Sequence, residues 1–191
     1  RPAIARMLWN EPGLIGQVLE AGAAAVIVPM VNNKAEAEAM VKSAKYPPLG
    51  GRSWGGYTAF QTYGLSPAAY LQKANAITQV FAMIETQAAL DAVEEIAAVP
   101  GLDGLFVGPS DLSIALSKGA GIDKTAKHTL EAMKRVAAAA QKNNLVAGAF
   151  AGSADVIKTY AAMGYTFMAG AVDVDLLQAG DENLMKAVKG V

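Results

Sequence analysis

Short apolar runs alternate with longer stretches of helical periodicity from one end of the chain to the other, and this rhythm limits the fold more than any other feature. The apolar runs fall at residues 3–7, 24–29, 78–84, 104–107, 145–150 and 166–171. Most are apolar at consecutive positions, the pattern of parallel strands covered on both faces rather than strands with one wet face. Between them, Leu14, Ile15, Val18 and Leu19 mark one helical stripe, and Leu90, Val93 and Ala97 a second. Leu130, Met133, Ala137 and Ala140 make a third, and Val156, Ile157 and Tyr160 a fourth. Pro100-Gly101 and Gly164 stand where helices should stop. A serial βα order of this kind predicts an α/β fold on a parallel sheet with right-handed crossovers.

Such a sheet can stay open or close into a barrel. No Gly-x-Gly-x-x-Gly follows any apolar run, so a dinucleotide-binding open sheet has no support. Strand starts near 78, 104, 145 and 166 recur at βα-unit spacing, which favours a (β/α)8 TIM barrel. A complete barrel usually takes about 250 residues. Six strands in 191 residues therefore predict one domain, residues 1–191, built as a barrel without its first two βα units. A start at Arg1 rather than Met puts that expected loss at the N-terminus.

One region breaks the rhythm. Tyr46-Pro47-Pro48-Leu49-Gly50-Gly51-Arg52-Ser53-Trp54-Gly55-Gly56-Tyr57 is followed by further aromatic residues and a short helical pattern near 67–74. An insertion of this length between two strands is uncommon unless it serves a function. Its glycine and aromatic content suits a loop arching over a barrel mouth, and equally an ordered spacer or an oligomer contact.

Composition removes several classes of function. Apolar residues make up 53% and charged residues 17%, so the chain can bury a large core and is not disordered. Sixteen basic residues against 17 acids, with no run of five like charges, argue against a nucleic-acid partner. The absence of cysteine excludes disulfides, thiolate metal sites and cysteine nucleophiles. The apolar run at 23–30 is far short of the roughly 18 residues a spanning helix needs, which argues against a membrane segment. No signal peptide is visible, so a cytoplasmic location is expected.

Catalytic residues of a barrel stand at the C-terminal ends of its strands. The first run gives Arg6 there, the third ends in Glu85-Thr86, and the fourth in Gly108-Pro109-Ser110-Asp111. Glu85 and Asp111 are one βα unit apart, so they should share a rim on neighbouring strands. Two adjacent carboxylates repel unless a proton or a cation lies between them. With no Cys and a single His, oxygen ligands imply a hard divalent ion, Mg²⁺ or Mn²⁺, with coordination positions left for substrate. Capping of the following helices is the plainer role open to the same two carboxylates. Arg6, a planar permanent cation, suits a carboxylate or a developing enolate oxygen, or a structural ion pair. None of the lysines ends a strand, which argues against Schiff-base chemistry. His128 lies early in a helical stretch beside Lys127, where no Ser, His and acid constellation can be built around it.

Five stretches carry a family likeness in their order and spacing. They are Arg6-Met7-Leu8-Trp9-Asn10-Glu11-Pro12, Val28-Pro29-Met30-Val31, Tyr46-Pro47-Pro48-Leu49-Gly50-Gly51-Arg52, Met83-Ile84-Glu85-Thr86, and Phe106-Val107-Gly108-Pro109-Ser110-Asp111-Leu112-Ser113. Together they resemble the HpcH/HpaI class II pyruvate aldolases, which include 4-hydroxy-2-oxoheptanedioate and 2-dehydro-3-deoxyglucarate aldolases. The likeness covers essentially the whole chain. It implies a metal-dependent barrel of the phosphoenolpyruvate/pyruvate-binding type, usually a hexamer with its last helix exchanged between subunits.

Carried over residue by residue, the resemblance makes Glu85 and Asp111 ligands of Mg²⁺, Mn²⁺ or Co²⁺. It gives the pyruvate carboxylate to the backbone N–H groups of Ser110 and Asp111, and the enolate oxygen to Arg6. Glu20 falls where some members have an Asp linked to the catalytic histidine. Met83 replaces a glutamine that contacts the keto acid in members acting on the heptanedioate. The family's general base, a strand-end histidine of the second βα segment, has no counterpart in residues 1–191. The implied reaction cleaves a 4-hydroxy-2-oxo acid to pyruvate and an aldehyde through a metal-bound enolate. An oxaloacetate-type decarboxylase and a catalytically silent fragment are the alternatives.

Overall fold

The computed structural model describes residues 2–190. Six strands are present: β1 (Ile4–Arg6), β2 (Ala25–Val28), β3 (Gln79–Ile84), β4 (Gly104–Val107), β5 (Val146–Phe150) and β6 (Phe167–Ala169). Each lies inside an expected apolar run, and every adjacent pair is parallel, in the order β1-β2-β3-β4-β5-β6. Ten helices complete the described residues. They are α1 (Pro12–Glu20), α2 (Lys34–Ala44), α3 (Tyr57–Thr62), α4 (Pro67–Ile77), α5 (Gln87–Asp91), α6 (Val93–Ala97), α7 (Pro109–Leu116), α8 (Lys127–Lys142), α9 (Ala154–Ala161) and α10 (Asp173–Lys189).

The expected (β/α)8 TIM barrel is not what forms. The sheet is a curled half-barrel, and β1 and β6 each have one strand neighbour among the described residues rather than pairing with each other. The reason is that βα spacing is common to open and closed parallel sheets. Closure depends on strand number, tilt and stagger, which the period of a single strand does not carry.

Burial on both faces explains the continuous apolar runs. Val26, Val28, Val80, Ala82, Ile84, Leu105 and Val107 point outward into one large core shared with the helices. Ala25, Ile27, Phe81, Met83 and Phe106 point into the concave face, where Val146, Phe150 and Phe167 pack on them. Phe81 and Phe106 lie 5.3 and 5.8 Å from Phe167, so aromatic rings fill the hollow. Gly148 makes room for them, since a Cβ there would stand 2.7 Å from the Phe106 ring.

The insertion after α2 does not cover the concave mouth. Tyr63 Oη donates to Ala23 O just before β2, and Lys45 Nζ donates to Thr78 O just before β3. Both contacts are at the N-terminal ends of strands, where a helix-to-strand connection must lie. The insertion builds α3, α4 and their own small core of Tyr46, Ala59, Phe60, Tyr70 and Ala74. At the other end of the chain α10 exposes Leu176, Leu177, Leu184 and Val188.

Candidate active site

Strand alternation decides which residues meet. Phe81 and Met83 face the concave side, so Glu85, one step beyond the end of β3, emerges on that side at the rim. Gly108 stands one step beyond β4, and α7 begins immediately after it. Its first turn carries Asp111, with no side chain capping the helix at Gly108. The N–H groups of Ser110 and Asp111 are therefore among the free donors of a helix start.

Glu85 is 4% exposed. Its Oε1 accepts a hydrogen bond of 2.8 Å from the Met30 N–H. Its Oε2 turns to Gly108, where a Cβ would lie 3.0 Å from Glu85 Oε2, 3.4 Å from Asp111 Oδ2 and 3.0 Å from Met83 Cε. The two carboxylates thus crowd one point, and only glycine leaves that point open. Arg6, Glu85 and Asp111 line a single cleft of about 300 Å³ with Leu8, Trp9, Pro29, Met30 and Thr86. Burial pushes the Glu85 carboxyl above the usual range against the Met30 N–H, and Asp111 pushes it further while Arg6 opposes.

Two carboxylates facing one opening, one of them buried and short of partners, form a donor set that suits a hard divalent cation. Among the described residues no group of three or more His, Cys, Asp and Glu adds a further ligand. Coordination positions would be left to substrate and water.

The expected residues are not all brought together. Arg6, Glu85 and Asp111 share the cleft, while Ser110 adjoins Asp111 and Met83 lies beneath Glu85. Glu20 is elsewhere. It ends α1, roughly 13 Å of helix away from the rim by the rise per residue. There it lines a separate polar cleft of about 460 Å³ with Arg52, Ser43 and Ser53. His128 is exposed on α8.

Met30 lies in a stretch that carries the family likeness, but its residue type points to no role. Its φ of 56° places a non-glycine residue in the left-handed region, a costly conformation that aims its N–H at Glu85. No residue type signals it, because the donor is backbone. Asn32 is a second such residue, accepting a hydrogen bond from Thr86 Oγ1 and so tying the loop after β2 to the end of β3. Lys124 also reaches the rim from a loop, its Nζ 5.3 Å from the ring centre of Phe150 at the end of β5.

Comparison with known proteins bears on this arrangement. A family model described as HpcH/HpaI aldolase/citrate lyase matches residues 2–179. The 2-dehydro-3,6-dideoxy-6-sulfogluconate aldolase of Pseudomonas putida is 36% identical over 98% of this chain and 72% of its own length. The hydroxypyruvate/pyruvate aldolase of Rhizorhabdus wittichii is 35% identical over 89% of this chain and 66% of its own. Among solved structures, an HpcH/HpaI aldolase/citrate lyase family protein from Burkholderia cenocepacia superposes with a TM-score of 0.84 at 32% identity. That match covers 97% of this chain and 73% of the other.

Proposed function

Because this chain belongs to the HpcH/HpaI aldolase/citrate lyase family, we propose that it is a class II pyruvate aldolase, cleaving a 4-hydroxy-2-oxo acid to pyruvate and an aldehyde. The observation that carries the reading is the meeting of Glu85 Oε2 and Asp111 Oδ2 at Gly108 in the cleft that Arg6 also lines. Relatives named as pyruvate and sulfogluconate aldolases support it.

Glu85 and Asp111 would hold Mg²⁺, Mn²⁺ or Co²⁺, which when bound supplies Lewis-acid polarisation of the substrate's keto and carboxylate oxygens. The chain's own groups do the rest. The Ser110 and Asp111 N–H groups bind the substrate carboxylate, adding the partial positive charge of the α7 N-terminus. Met83 forms the apolar floor under Glu85 and offers no hydrogen bond to the keto acid. Arg6 faces the C2 oxygen and steadies its negative charge as the C3–C4 bond breaks, an effect of roughly 2.7–4 kcal/mol for a well-placed donor. The C4 hydroxyl proton goes to a histidine that the family resemblance implies, and a proton returned to C3 of the enolate gives pyruvate. Glu20 has no part in this cleft within one chain. Assembly into a hexamer in the cytoplasm belongs to the same proposal, and the apolar side chains exposed on α10 support association.

The test is release of pyruvate by the complete protein from a panel of 4-hydroxy-2-oxo acids, before and after EDTA and on return of each ion. Release that EDTA stops and Mg²⁺ or Mn²⁺ restores is expected. Decarboxylation of oxaloacetate without aldol cleavage would move the reading to a decarboxylase, and no turnover of either kind would overturn it.

A further inference from the structure

A lysine lies against the rim two strands away from Glu85. In the register of the sheet, Ile84 of β3 pairs with Val107 of β4, and Val107 with Ala149 of β5. One residue further along each strand come Glu85, Gly108 and Phe150, so these three form one layer at the rim. Phe150 packs against the concave cluster that contains Phe81, Met83 and Phe106, which puts its ring on the same side as Glu85. Two strand spacings separate β3 from β5, about 10 Å across the mouth.

Lys124 comes to this place from the loop between α7 and α8, and that loop is tied down. Ser113 Oγ accepts from the Asp123 N–H, the Asp123 carboxylate accepts from both the N–H and the hydroxyl of Thr125, and Thr129 Oγ1 donates to Asp123 O. Asp123 is thereby engaged with Thr125, although it is the acid next in sequence to Lys124. Among the described residues no carboxylate lies within ion-pair distance of Lys124 Nζ. The ammonium rests 5.3 Å from the centre of the Phe150 ring, inside the range of a cation–π contact. That contact positions the ammonium but supplies no anion. A half-buried, positioned cation with no ion-pair partner, beside the same rim layer as Glu85, is a site for one.

We propose that Lys124 is a specificity residue that receives a distal carboxylate on the far end of the substrate. The inference rests on the aldolase reading only for its orientation, with the keto-acid end of the substrate at Glu85 and Asp111. A substrate long enough to cross the mouth would then be held by charge at both ends. Phe150 is a positioning residue, acting through the ammonium it holds.

The test is a pair of six-carbon probes, 2-oxoadipate and 2-oxohexanoate, which differ in the distal carboxylate. Their affinities for the complete protein with Mg²⁺ are measured by calorimetry. The wild type should favour 2-oxoadipate. Lys124→Met should cut the ratio of the two affinities about tenfold, the loss expected for one charge-assisted contact. Lys124→Arg should restore most of that ratio, and Phe150→Leu should lower it less than Lys124→Met does. A ratio that Lys124→Met leaves unchanged, or a wild type without preference, overturns the inference. Absent pyruvate release with the charge preference intact overturns the aldolase reading and leaves the assignment of Lys124 standing.

Discussion

Two buried charges at opposite ends of the same sheet have opposite surroundings. Lys45, 1% exposed at the strand N-terminal end, donates to Asn75 O at 3.0 Å and to Thr78 O at 2.7 Å. Its ammonium also forms an ion pair with Asp103 Oδ2 at 2.7 Å. Asp103 is itself fixed by the Val80 N–H. Glu85, at the C-terminal rim, has one backbone donor and a second carboxylate as its neighbour. A lysine held by two carbonyls and an opposite charge is a brace. A carboxylate left short of donors beside another carboxylate stores an unmet demand for positive charge, which is what a binding site needs.

Three substitutions separate the brace from the binding site. The largest effect is expected from Glu85→Gln. It keeps an acceptor for the Met30 N–H and removes the charge, so pyruvate release should fall on the order of 1000-fold. The thermal midpoint should hold or rise, because a poorly compensated buried charge has gone. Near-normal, EDTA-sensitive turnover in this variant would remove Glu85 from the site.

Lys45→Met should do the reverse. It strands the Asp103 carboxylate and two carbonyls, and urea unfolding should show a loss of about 3–5 kcal/mol. Divalent-ion binding by the folded fraction should match the wild type. A loss below about 1 kcal/mol would mean that the brace is no stronger than an exposed surface pair such as Arg135 with Glu94.

The smallest effect belongs to Arg6→Lys. The charge stays and the planar fork goes, so kcat should drop about tenfold with little rise in KM. A rise in KM with kcat unchanged would make Arg6 a residue that binds ground state and transition state alike.

How far the sequence could be read follows from the range of each signal. Periodicity is local, and it marked all six strands to within about two residues at each end, as with residues 78–84 against Gln79–Ile84. It also put Arg6, Glu85 and Asp111 at strand ends, because one βα unit returns the chain to the same rim. It was silent where a donor is backbone, as at Met30, and where a loop side chain crosses space, as at Lys124. Glu20 shows the converse. Its position in the chain matches a family residue, yet one helix length carries it into another cleft.

Strand period, helix stops and residue type are properties of short stretches, so they carried the parallel βα order and the rim on which the two carboxylates stand. Only the tertiary structure decided that the sheet stays a half-barrel, that the insertion packs at the strand N-terminal ends, and that Gly108 is the point where two carboxylates converge. Those outcomes depend on strand stagger and on contacts between residues far apart in the chain, and no short stretch of sequence encodes either one.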